Sequence, residues 1–132
     1  MTQQTPRFPA EWEPQSAILL AWPTADTDWA ERLAEVEETY IALVQAITRF
    51  QRVVLYVADD DVETYAEMRL RSNRVDMERV RFVSVPYDDT WLRDSGPITL
   101  RAGDSFVLND FRFTGWGGKF EASDDDRLVE RL

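Results

Sequence analysis

The six residues 52–57, RVVLYV, are apolar at odd and even positions alike. A strand sends successive side chains to opposite faces, so a run without alternation reads as a strand covered on both sides. Upstream, SAILLAW (16–22) is a second short apolar run, stopped by Pro23, which cannot extend a ladder. Between them, TADTDWAERLAEVEETYIALVQAITRF (24–50) repeats apolar residues at threes and fours: Trp29, Leu33, Val36, Tyr40, Leu43, Val44 and Ile47. That spacing predicts a helix with one apolar stripe, its start capped by Asp26 or Asp28 and favoured by Glu31 in the first turn.

Downstream, DDDVETYAEMRLRSN (59–73) opens with capping carboxylates and sets Val62, Tyr65, Ala66 and Arg69–Leu70 at helical spacing. Asp59–Asp61 therefore reads as a helix cap rather than a metal site. VRFVSV (80–85) is a third strand. PITLRA (97–102) and SFVLNDF (105–111) meet at Gly103–Asp104, a hairpin turn. Crossover helices between apolar strands imply an α/β fold with a parallel or mixed sheet, two crossover helices and a hairpin. SDDDRLVERL (123–132) reads as a capped helix that begins and is then cut off, with Asp124–Asp126 as its cap.

Composition narrows the function. The chain has 132 residues, 44% hydrophobic and 12% aromatic, enough for one globular domain. Its formal net charge of −10 argues against nucleic acid, which needs clustered Lys and Arg. With no Cys there are no disulfides or Cys-ligated metals. With no His, every Ser–His, Cys–His or His–metal mechanism is closed to this chain acting alone. MTQQTPRFPA (1–10) lacks the apolar core of a leader, and no run reaches membrane-spanning length, so a cytoplasmic location away from membranes is the expectation.

Chemistry concentrates in VPYDDTWLRDSGPITL (85–100), which follows the third strand. Loops at the C-terminal ends of parallel strands are the usual ligand sites of such sheets. An indole face beside carboxylates suits a flat organic cation, and a carboxylate can accept two parallel N–H bonds from a guanidinium. Asp94 lies three residues after Trp91, so in a tight turn both face one cavity, while Arg93 points away and anchors the loop. An acidic turn in which Arg93 pairs with an Asp and Trp91 plugs the sheet edge fits the spacing equally well. NDFRFTGWGGKF (109–120) brackets Trp116 with glycines that permit close backbone approach to a ligand, or simply a groove-filling Trp. The phosphate-loop strings G-x-G-x-x-G and G-x-x-x-x-G-K-[ST] are absent. Trp12 and Trp22 read as packing residues.

PAEWEPQSAILLAWP (9–23), DDTWLRDSGP (88–97) and DFRFTGWGGK (110–119), in this order, resemble the N-terminal part of the agmatine deiminase family, close to bacterial-type peptidyl-arginine deiminases. W-x-R-D-x-G-P and G-W-G-G-K are specific in combination, and the resemblance covers Pro9 to the final helix. It implies a partial pentein, strand–helix modules around a pseudo-fivefold axis, with residues 1–132 as the N-terminal portion of one catalytic domain. The implied reaction is hydrolysis of agmatine to N-carbamoylputrescine and ammonia, on the route to putrescine and polyamines, with no cofactor and no metal. A Cys thiolate attacks the guanidinium carbon and a His moves protons.

By resemblance, Asp94 contacts the guanidinium and Trp91 packs beside it. Asp89 and Trp116 match positions near the pocket, and Arg93, Gly117 and Gly118 are structural residues close by. Relatives acting on peptidyl-arginine carry arginines in the loop matching Gly115–Gly118, and this chain has none there, which favours agmatine. The chain departs from the family in lacking both Cys and His. Two further readings stand beside this one: a peptidyl-arginine deiminase-like piece, and a module that binds guanidino compounds without turnover. Unburied sheet edges would also suit a homo-oligomer.

Overall fold

The computed structural model describes residues 5–132. Residues 1–4, part of the N-terminal stretch read for a leader, lie outside the described residues. Three strands, β1 (Ala17–Ala21), β2 (Arg52–Val57) and β3 (Val80–Ser84), form a parallel sheet in the order β1-β2-β3. The crossovers carry α1 (Leu33–Ile47) and α2 (Asp60–Ser72). A one-turn helix, α3 (Leu92–Ser95), then leads into an antiparallel hairpin of β4 (Ile98–Ala102) and β5 (Ser105–Asn109), turned at Gly103–Asp104. The α/β expectation with two crossover helices and a hairpin is met.

Of the two sheet types expected, the parallel one is found and the mixed one is not: the antiparallel hairpin shares no ladder with the parallel sheet among the described residues. The turn of α3 and Pro97 redirects the chain after β3. The outer side of β4 is taken instead by Arg7, which exchanges two 2.9 Å backbone bonds with Arg101.

The central strand explains its own composition. Val53, Leu55 and Val57 point to one face, where Ile41 and Val44 of α1, Ala66 and Leu70 of α2, and Trp22 bury them. Tyr56 points to the other, against Ala21, Val85, Leu92 and Leu128. Tyr56 also donates from its hydroxyl to the Leu128 carbonyl at 2.9 Å, fastening the C-terminal segment beneath the sheet. Burial pushes its pKa up to about 12, so it stays a neutral donor.

Helix α2 starts as expected, with the Asp59 carboxylate accepting the Val62 N–H at 2.8 Å. Helix α1 does not. Residues 30–32 form a 3-10 turn, Arg32 occupies the cap position without a side-chain bond, and neither Asp26 nor Asp28 caps. Ile41 takes the core position, and Leu43 is exposed. Buried Glu37 receives the Tyr65 hydroxyl at 2.9 Å and Arg69 Nη1 at 2.7 Å, joining α1 to α2. Trp22 is buried as expected, whereas Trp12 is 88% exposed and is not a packing residue within the described structure.

The expected final helix is a 3-10 segment, Asp125–Arg131, and Asp124 makes no side-chain cap. Its carboxylates are used elsewhere, as described below. No helix of the described residues is long and apolar enough to cross a membrane.

Candidate functional site

The loops leaving the C-terminal ends of β1 and β3 meet in a cross-laced pair. From the β3 side, Asp89 accepts its neighbour's N–H, that of Thr90, at 2.7 Å on Oδ1. On Oδ2 it accepts the backbone N–H of Asp28 at 3.1 Å. From the β1 side, the Asp28 carboxylate accepts the Trp91 indole N–H at 3.1 Å, and the Trp29 indole N–H donates to Thr90 Oγ1 at 2.8 Å. The two indole rings lie 5.5 Å apart, tilted by 38°. Trp91 remains 37% exposed, so part of its side chain faces solvent. Burial raises the Asp89 pKa from its ordinary value, with the nearby Asp28 charge adding to it, while the two N–H bonds oppose the rise.

Trp91 opens α3, and the backbone N–H of Asp94 closes that turn on the Trp91 carbonyl at 3.0 Å. Asp94 is exposed, and its carboxylate makes no hydrogen bond or ion pair among the described residues. A carboxylate on the same turn as a partly exposed indole can accept N–H bonds from a planar cation. Arg93 is also exposed, and among the described residues its side chain forms neither hydrogen bond nor ion pair. The loop-anchoring role expected for Arg93 therefore has no contact behind it. Ser95, next in the turn, is buried with its hydroxyl unpaired among the described residues.

The loop is anchored instead by the C-terminal segment. Asp125 Oδ1 accepts the N–H groups of Asp88 at 2.8 Å and Asp89 at 3.3 Å. Asp88 Oδ2 returns the exchange, accepting those of Asp124 at 2.8 Å and Asp125 at 3.1 Å. Asp125 is 3% exposed. Burial, reinforced by the Asp88 and Asp89 charges, pushes its pKa up to about 6, against the pull of the two N–H bonds. Asp126 Oδ1 accepts the Phe113 N–H at 2.5 Å, so one short segment holds both loops that the sequence singled out. Read as a cap, Asp124–Asp126 is in fact a clamp.

In the second loop, Gly115–Gly118 runs through left-handed backbone, including Trp116 at φ 57°. A Cβ on Gly115 would lie 2.2 Å from the Phe120 carbonyl oxygen, so only glycine fits there. Gly117 donates to Thr114 Oγ1 at 3.2 Å, and Gly118 donates to the Thr114 carbonyl at 2.7 Å. Trp116 stands edge-on between Phe113 and Phe120, at 5.2 and 5.7 Å. No aromatic or hydrogen-bond contact among the described residues joins it to Trp91.

Asp28, Trp29, Thr90 and Asp125 went unassigned to the site in the sequence. One signal for Asp28 and Trp29 was present: they follow a Pro-stopped strand, at the same sheet end that drew attention to Trp91. Asp125 had none, because a carboxylate run reads identically whether it caps or clamps.

With this geometry in hand, the chain was compared with known proteins. The model of the Porphyromonas-type peptidyl-arginine deiminase family matches residues 7–132. An agmatine deiminase of Stutzerimonas stutzeri (strain A1501) is 34% identical over 114 residues, covering 85% of this chain and 29% of the relative. An agmatine deiminase of C. jejuni, solved with substrate bound, superposes with a TM-score of 0.85 at 26% identity, covering all of this chain and 37% of that one. That of Enterococcus faecalis has a TM-score of 0.81 at 23% identity, over 95% of this chain and 34% of that one, a likeness of fold. The chain thus spans about a third of the length of these relatives.

Proposed function

Because the chain belongs to the Porphyromonas-type peptidyl-arginine deiminase family, we propose that it supplies the substrate-clamping part of an agmatine deiminase-like hydrolase. The observation that carries this reading is the α3 turn. There Trp91, pinned by Asp28 yet partly exposed, precedes the exposed and uncommitted carboxylate of Asp94. In this reading Asp94 accepts the guanidinium N–H groups of agmatine and Trp91 lies against the cation. Holding the charge in place keeps the central carbon oriented for attack.

The attacking thiolate and the proton-carrying imidazole are not among these residues, since the sequence contains no Cys and no His. Turnover therefore needs groups from beyond them, and the relatives' greater length gives room for such groups. The three-stranded parallel unit with its hairpin would be one portion of a five-module pentein ring, with the exposed part of Trp91 facing the centre. The absence of arginine from Gly115–Gly118 supports agmatine over a substrate bearing a carboxylate. The product would be N-carbamoylputrescine, a precursor of putrescine, in the cytoplasm.

The test is ammonia release from agmatine and from a peptidyl-arginine, using the product of the complete reading frame that encodes these residues. Turnover of agmatine alone is the expected result. Release from the peptide alone would reverse the substrate assignment, and release from neither would end the deiminase reading.

A further inference from the structure

The indole of Trp91 is partly exposed and packs on one other aromatic ring among the described residues, that of Trp29 at 5.5 Å. Among the described residues, its N–H has one hydrogen-bond partner, the Asp28 carboxylate, 63 residues away in sequence. Asp28 is in turn fixed through its own backbone N–H, held by Asp89 Oδ2. Asp89 is two residues from Trp91, so these bonds close a ring through both loops: Asp89 places Asp28, and Asp28 places the indole. Trp29, secured to Thr90, lines the back of Trp91. We propose that Asp28 is a positioning residue for Trp91, and that the β1 loop forms the second wall of the guanidinium site. This rests on the substrate-clamping reading, and it adds a residue that acts through the indole rather than on the substrate.

The test separates the two claims. In the 15N-labelled chain, the Trp91 indole resonance is assigned by its disappearance in Trp91→Phe. Asp28→Ala should move it toward the position of the 88%-exposed Trp12 and abolish the coupled Trp29–Trp91 signal in near-ultraviolet circular dichroism. Asp28→Asn, which retains an acceptor oxygen, should preserve both. If the Ala variant does not fold, Asp28→Ser, too short to reach the indole, carries the same comparison.

An unmoved Trp91 resonance in Asp28→Ala, or a displaced one in Asp28→Asn, would overturn the assignment. In parallel, agmatine affinity should fall several-fold in Asp28→Ala and recover in Asp28→Asn. The affinity comparison uses the product of the complete reading frame; if that protein, unaltered, does not bind agmatine, the guanidinium reading fails at this site, and the resonance in the 132-residue chain still decides whether Asp28 positions the indole.

Discussion

Replacing Asp125 with Ala removes the acceptor for two backbone N–H groups, at 2.8 Å from Asp88 and 3.3 Å from Asp89. A buried donor left unpaired costs about 1–3 kcal/mol, and the longer bond belongs at the bottom of that range. Against this, the substitution deletes a buried carboxylate whose ionisation the fold disfavours, which returns on the order of 1 kcal/mol. The net expectation is a loss of about 2 kcal/mol at neutral pH. Asp125→Asn keeps the acceptor and discards the charge, so it should match or exceed the unaltered chain.

The pH dependence follows from the raised folded-state pKa of about 6. The folded state binds this proton more tightly than the unfolded chain does. The ionisation penalty is therefore absent below about pH 4, grows between about 4 and 6, and is complete above that. Urea unfolding at pH 5 and pH 7.5 should thus show the advantage of Asp125→Asn over the unaltered chain shrinking as pH falls. If Asn proves as damaging as Ala, or if its advantage is independent of pH, the clamp does not work as described.

In the product of the complete reading frame, the role proposed for Asp94 predicts that Asp94→Asn removes most agmatine turnover and leaves the melting temperature unchanged, because a neutral amide cannot balance a guanidinium charge; near-normal turnover would refute that role. Arg93→Ala should leave thermal stability within about 0.5 kcal/mol of the unaltered chain, as for surface changes without partners; a clear drop in melting temperature would reveal a contact that the structure does not contain. Gly115→Ala should destabilise by more than about 1 kcal/mol, since the new Cβ meets the Phe120 carbonyl in left-handed backbone; unchanged unfolding in denaturant would contradict that fit.

The strands were legible because they are short apolar runs bounded by strong punctuation: Pro23 after β1, and Gly103–Asp104 between β4 and β5. Burial on both faces left β2 without alternation, and that was readable too. The start of α1 was misread for a tertiary reason. Asp28 has the side chain of a helix cap and Trp29 begins the apolar repeat, yet partners 61 to 63 residues away hold them in the loop. The same competition took Asp125 from capping to clamping.

Trp91 and Asp94 were singled out by motif and by their place after a parallel strand, and the structure puts them on one turn, α3. Their support was not legible in one dimension, because which carboxylate receives which N–H depends on the register of two loops. The anchoring expected of Arg93 went instead to Asp125, on a segment 32 positions further along the chain.

The sequence distance spanned by those bonds has a consequence for assembly. Joining residues 28 and 91 means closing a long loop, whose entropy must be offset before any bond there contributes. In the folded state the two tryptophans meet across both crossovers, so their contact is among the least local in the chain. Their mutual signal would then mark a late stage of folding, whereas helix formation, being local, would report earlier events.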